Sequence, residues 1–265
     1  MKNDQIKERS MLNEIVQPLT DWYRQNKRIL PWRDQNNAYY TWVSEIMLQQ
    51  TRVEAVKPYF QRFIGELPDV QALAECPEEK LMKLWEGLGY YNRVRNMQTA
   101  ARTVVCEYKG ELPASYEELL SLKGIGNYTA GAIASIAYQI PVPAVDGNVL
   151  RVISRITEDR QDIMKQSVRR QIEENLLGIM PEETPGDFNQ ALMELGAVVC
   201  VPNGPARMSG VGVLSCIQTR NSRGAAGQST EEGAYSAKQD SACDSGRREN
   251  CYTETTGKRS SCRII

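Results

Sequence analysis

Apolar side chains recur every three to four positions through most of the first 200 residues, the spacing of helices with one buried face. Residues 1–28 predict an amphipathic helix, with Ile6, Met11, Ile15, Val16, Leu19, Trp22 and Tyr23 near its apolar side. Lys27 and Arg28 close it with charge suited to a helix C-terminus. A second helix is predicted from Trp42 to Leu48, where Trp42, Val43, Ile46 and Met47 give the apolar side and Glu45 stands beside it. Thr51-Arg-Val-Glu54 reads as a capping box opening a helix through Val56, Tyr59, Phe60 and Phe63. Further helices are expected from Pro77 to Trp85, from Arg93 to near Gly110, over 149–161 and 166–179, and from Phe188 to Cys200. No stretch alternates with period two and no internal repeat is present, so the pattern is that of an all-α fold.

One stretch, Ser115 to Arg151, carries more than periodicity. Ser115-Tyr-Glu-Glu118 is a capping box, and the short helix it opens ends at Lys123. Gly124-Ile125-Gly126 then forms a hairpin whose two glycines allow positive φ and close approach of a partner. A helix restarts from Asn127 to Tyr138 and stops at Pro141 and Pro143. Extended Ala144-Val145 delivers Asp146-Gly147-Asn148 to the start of another helix. Free backbone N–H groups at such a hairpin suit a phosphate. Alone, Gly-Ile-Gly is an ordinary helix–helix turn, and an Asp before a helix is most often an N-cap. The order and spacing of hairpin, Pro-Val-Pro and Asp weaken both bland readings.

Composition narrows the chemistry. The 265 residues suffice for one large domain or two lobes, and the formal net charge of −1 requires any nucleic-acid surface to be locally basic. With no 18-residue apolar run and no secretory segment, a cytoplasmic protein without a membrane partner is expected. The seven cysteines of a cytosolic chain suggest metal ligation or free thiols rather than disulfides. The chain has no histidine. Acid–base work therefore falls to carboxylates, Lys, Tyr or Cys. Glu45 is a candidate, because partial burial would raise its pKa. In Gly87-Leu88-Gly89-Tyr90-Tyr91, an exposed Leu88 and Tyr90 beside Arg93 and Arg95 suit a wedge into a base stack, and a hydrophobic staple under the loop fits the same residues equally well.

LKGIGNYTAGAI followed by VPAVDGNVLRV closely resembles the helix-hairpin-helix plus Gly/Pro/Asp signature of the base-excision DNA glycosylases, and the resemblance extends over most of residues 1–200. LPWR at 30–33 and SEIMLQQTRVEAVKPYF at 44–60 look like the adenine-specific (A/G) DNA glycosylases much more than the related endonuclease III-type enzymes. The resemblance implies a two-lobed fold: residues 30–140 as a six-helix domain with the hairpin, and 1–29 plus 141–200 as a second helical lobe. It implies hydrolysis of the N-glycosidic bond of adenine mispaired with 8-oxoguanine or guanine. Glu45 then matches the proton donor to N7, Asp146 the carboxylate that stabilises an oxocarbenium-like sugar, and Asn148 the residue orienting Asp146 or the water. Tyr128 stands where the endonuclease III-type enzymes carry a Schiff-base Lys, which argues for a monofunctional glycosylase. By the same resemblance Trp32 and Arg33 belong near the adenine pocket, while Gln50, Thr51, Leu88 and Tyr90 meet the opposite strand. Lys123, Gly124, Ile125 and Gly126 grip phosphate, in the family often with a cation. The implied partner is double-stranded DNA containing adenine mispairs, bound by a nucleoid-associated monomer.

After Cys200 the sequence changes character: residues 201–265 hold no Trp or Phe, one Leu, and many Ser, Gly, Thr, Arg and Gln. Such a segment buries too little apolar surface to offset its ordering entropy, so a non-homologous, disordered tail is expected. The family implies a 4Fe-4S cluster on a C-x6-C-x2-C-x5-C run. Counted from Cys200, the next positions are Arg207 and Gly210, and only Cys216 falls in register. Binding of the cluster by this chain is therefore not expected. A reading-frame shift would produce such a change, and the family's Nudix-like C-terminal domain has no counterpart here. Two readings stand beside an active glycosylase: a DNA-binding remnant impaired by the broken cluster lobe, and an endonuclease III-type lyase, which Tyr128 disfavours.

Overall fold

The 3.6-residue periodicity becomes eleven helices, and no strand, among the residues described by the computed structural model, 2–33 and 37–202. The expected tail from residue 203 onward, with Cys216, lies outside the described residues. In order the helices are α1 (Lys2–Asn26), α2 (Ala38–Leu48), α3 (Val53–Glu66), α4 (Val70–Glu75), α5 (Glu78–Trp85), α6 (Asn92–Glu107), α7 (Tyr116–Ser121), α8 (Asn127–Tyr138), α9 (Gly147–Thr157), α10 (Gln166–Leu177) and α11 (Pro185–Val198).

Their apolar faces meet in two buried clusters. One gathers side chains from Leu30 to Ala134, with Trp42, Phe63 and Trp85 at its centre. The other joins Leu12, Ile15, Leu19 and Tyr23 of α1 to the stretch from Val145 to Cys200. Helix α2 packs on α8, and α11 packs on α1, α8 and α9. α8 is thus held between the helix bearing Glu45 and the last helix. Gly131 makes one of these approaches possible, because a Cβ there would overlap the Pro143 carbonyl oxygen. Asn189 of α11 fixes the same extended segment: its amide donates to the Val142 carbonyl at 2.9 Å and its oxygen accepts from Ala144 N–H at 3.2 Å.

Local expectations are corrected at several points. The helix predicted to reach Lys123 ends at Ser121. Thr51 opens no capping box: the N-cap of α3 is Arg52, and the Thr51 hydroxyl turns back to the Gln49 carbonyl at 3.5 Å. Ser115 does cap α7, accepting from Glu118 N–H at 3.4 Å while its hydroxyl donates to Glu117. Of the two hairpin glycines only Gly124 has a positive φ, 83°, whereas Gly126 is extended at φ −100° and ψ −179°. Helix α4, capped by Asp69, was not anticipated; its six residues are too few to show a period.

Candidate active site

Helix α2 begins where the Asn37 side chain accepts from Tyr40 N–H at 3.1 Å, and nearly all of its residues are buried. A carboxylate on such a helix loses its water. Glu45 is 7 % exposed, and its Oε2 accepts a 2.5 Å hydrogen bond from the Tyr128 hydroxyl, one residue into α8. Burial pushes the Glu45 carboxyl up to about 7; the Tyr128 bond and Arg33 pull it down, and Asp146 pushes it further up. The Tyr128 phenol is held well above its ordinary value by burial and by Glu45 and Asp146, so it stays a neutral donor. Its oxygen also lies 3.8 Å from Met193 Sδ on α11.

Asp146 divides its two oxygens between two tasks. Oδ1 accepts from Val149 N–H at 2.8 Å and caps α9, and Oδ2 accepts from the Asn148 amide at 2.8 Å. The N-cap reading and the site reading are therefore compatible. Asn148 in turn accepts from Arg151 at 2.8 Å, and Arg151 also donates to the carbonyls of Gly196 and Cys200 at 3.0 Å. Gly196 admits this packing, since a Cβ there would come within 2.7 Å of Asn148 Cβ. The chain of bonds runs from the end of α11 to the Asp146 carboxylate.

Glu45, Tyr128, Asp146, Asn148 and Arg33 are thus brought together. Trp32 is buried edge-on against Phe60, ring centroids 5.3 Å apart. Arg33 bonds to buried Glu194 at 2.8 Å, and Arg28 clasps the same carboxylate at 2.6 and 2.9 Å. Burial alone would raise the Glu194 carboxyl, but the Arg28 hydrogen bond and Arg33 hold it below its ordinary value.

The residues expected to face DNA sit in the turns at the ends of these helices and in the Gly87–Tyr91 loop. Gln50 and Thr51 form the turn after α2, with Gln50 at φ 63°. Tyr90 is 51 % exposed at φ 47°, but Leu88 is only 7 % exposed. Of the two readings of this loop, Leu88 follows the staple and not the exposed wedge: it packs into the first buried cluster, and the projecting side chain of the loop is Tyr90. In the hairpin Lys123 is exposed, Ile125 is buried, and Gly124 lies against Asn96, where a Cβ would come within 2.8 Å of Asn96 Cβ. A Cβ on Gly126 would meet nothing within 4 Å, which leaves room for a ligand at the start of α8. Asn189 and Glu194 carry no signal in the sequence beyond residue type, and Arg93 is marked there only as a charge beside the loop.

Among the described residues no group of three His, Cys, Asp or Glu side chains could hold a metal ion. Cys200 is buried with Arg155 donating to its sulfur at 3.2 Å. A four-iron cluster needs four thiolate donors, and a guanidinium at 207 and a bare glycine at 210 supply none. The donor set does not fit the cluster.

Residues 43–177 match the family described as HhH-GPD superfamily base excision DNA repair protein. The chain belongs to that family. It is similar to the adenine DNA glycosylase of Mus musculus, 45 % identical over 196 residues, covering 71 % of this chain and 38 % of the relative. It is also similar to the adenine DNA glycosylase of Buchnera aphidicola subsp. Baizongia pistaciae (strain Bp), 37 % identical over 192 residues, covering 72 % of this chain and 54 % of the relative. The chain therefore spans about half or less of these relatives. A solved thermostable thymine-DNA glycosylase shares the fold, with TM-score 0.69 and 24 % identity over 81 % of this chain and 98 % of that one.

Proposed function

We propose that the chain is a monofunctional adenine DNA glycosylase that hydrolyses the N-glycosidic bond of adenine mispaired with 8-oxoguanine or guanine in double-stranded DNA. The observation that carries this reading is Glu45: a buried carboxyl pushed up to about 7, bonded to Tyr128, in reach of the Asp146 field. A carboxyl with that value is protonated near neutral pH and can give its proton to adenine N7, turning a poor leaving group into a neutral base. As the bond breaks, positive charge develops on the sugar. Asp146, fixed by the Val149 N–H and by Asn148, would meet that charge with its carboxylate. Asn148 orients that carboxylate, and water completes the hydrolysis. The base must leave the stack first, which a mismatch makes less costly. Trp32 and Arg33 would line the base pocket. Gln50, Thr51 and Tyr90 would meet the opposite strand, with Leu88 supporting the loop from beneath. The backbone of Lys123–Gly126 would hold phosphate. In this reading residues 30–140 and 1–29 plus 141–200 act as two lobes of a nucleoid-associated monomer.

The decisive assay is single-turnover release of adenine from an adenine:8-oxoguanine duplex by the full chain, with a matched duplex as control. The rate should fall above about pH 7, as Glu45 loses the proton it donates. A rate that climbs through pH 7 would remove Glu45 as the acid. An impaired, DNA-binding remnant is favoured by one observation, the donor set after Cys200; mismatch binding without base release would select it. The lyase reading requires an imine. Tyr128 has no amine, so borohydride should trap no covalent DNA adduct with the parent chain, and Tyr128→Lys should create one. Efficient trapping by the parent would reverse the assignment.

A further inference from the structure

One guanidinium ties together two segments that are far apart in sequence. Arg93, in the first turn of α6, donates through Nη1 to the Ile46 and Gln49 carbonyls at 2.8 and 2.5 Å. Through Nη2 it donates to the Leu88 and Gly89 carbonyls at 3.0 and 3.3 Å. Its carbon lies 5.5 Å from the Trp85 ring centroid and 5.6 Å from that of Tyr90, and Trp85 Nε1 also donates to Gly89 O at 3.0 Å. The acceptors include carbonyls at the C-terminus of α2, where a cation is favoured and the last carbonyls lack helical partners. Each segment also holds a non-glycine residue in the left-handed region, Gln50 at φ 63° and Tyr90 at φ 47°. Each such residue is strained and persists only where its surroundings over-determine it. Arg93 supplies that constraint on both sides at once.

We propose that Arg93 is a positioning residue that locks the Gln49–Thr51 turn and the Gly87–Tyr91 loop into one pre-organised unit for gripping mismatched DNA. The proposal rests on the function proposed above for the DNA-contacting role of that unit. Arg93 is not a phosphate contact, because both terminal nitrogens are already engaged with backbone carbonyls. A planar fork is needed to serve four carbonyls, and a lysine ammonium on a flexible stem cannot reproduce it.

The test compares Arg93→Lys, Arg93→Ala and the parent full chain by fluorescence anisotropy. The probe is a short adenine:8-oxoguanine duplex whose adenosine carries a 2′-fluoro group that blocks cleavage, with a matched duplex alongside. Both variants should lose mismatch affinity alike, on the order of tenfold, as pre-organisation is lost. The slope of log affinity against log salt should not change, and single-turnover base release at saturating enzyme should stay within about threefold of the parent. Restoration of affinity by lysine, or a salt slope lower by about one in Arg93→Ala alone, would mark a phosphate contact and overturn the proposal. Should the variants not fold, hydrogen exchange in the parent decides. The Thr51 and Leu88 amides, bonded to the Leu48 and Trp85 carbonyls at 3.3 and 3.1 Å, should open with one shared rate. Independent rates overturn the lock. A parent that binds no mismatched duplex overturns the glycosylase reading instead, and the exchange result still decides the role of Arg93.

Discussion

Glu45→Gln should reduce single-turnover adenine release by about a hundredfold to ten-thousandfold, the range supplied by a positioned general acid. Mismatch binding should stay within several-fold, because the amide is isosteric and can still accept the Tyr128 hydroxyl. No histidine is available to take over the proton transfer. The same substitution should stabilise the fold at alkaline pH. The folded Glu45 carboxyl sits at about 7 against an ordinary 4.5, so the folded chain holds a proton that the unfolded chain has already lost. The contribution of Glu45 to parent stability is thus greatest below about pH 4.5 and is eroded as pH rises through about 7, whereas glutamine carries no such penalty. At pH 8 the variant should unfold with a free energy higher by about 3 kcal/mol, and at pH 4 the two should agree. Denaturant melts at both pH values read this even if turnover of the parent is slow. Equal stabilities at pH 8 would mean that Glu45 is ionised at little cost, and the acid role would go with it.

Glu194→Ala should be strongly destabilising. The carboxylate is buried and neutralises two guanidinium groups, Arg28 at 2.6 Å and Arg33 at 2.8 Å. Removing it leaves two like charges facing each other around an empty site. Breaking a buried pair costs about 3–5 kcal/mol, and the partial exposure of Arg28 places this case near 3 kcal/mol. For a chain of this size that corresponds to a fall of roughly 10 °C in Tm. Because Glu194 is held below its ordinary value, its contribution is present at neutral pH and lost as acid protonates it. The gap between parent and variant should therefore close towards low pH. A loss under about 1 kcal/mol at pH 7 would show that the entry loop at 28–33 is held to α11 by apolar packing alone.

Local signals carried much of this protein. The period of apolar residues placed most helices within a few positions, since a helix face that must be buried leaves its spacing in the sequence whatever it packs against. Gly124, the Pro-Val-Pro stop and Asp146 were legible for the same reason: positive φ, a missing N–H and an N-cap are properties of one residue and its neighbours. Glu45, Tyr128 and Asp146 stood out through their motifs, and their grouping could not be computed from spacing, because Tyr128 meets Glu45 across 83 positions. Where the sequence misled, a competing contact prevailed. Leu88 could be read as an exposed wedge or as a staple and is buried, because a leucine beside glycines fills whatever apolar gap the fold presents. Thr51 looked like a cap, and its hydroxyl found the Gln49 carbonyl first.

Arg93 and Glu194 mark what the chain order alone could not decide. Backbone carbonyls have no sequence signature, so an arginine that bonds four of them resembles any surface arginine on a helix. Glu194 lies 166 positions from Arg28 and 161 from Arg33 in the chain, and its charge is compensated only once α11 has docked against α1. The sequence determined the helices, their caps and the residue types able to move a proton. The tertiary structure decided which carboxyl would be dry enough to hold that proton at neutral pH, because desolvation is a property of everything packed around a group.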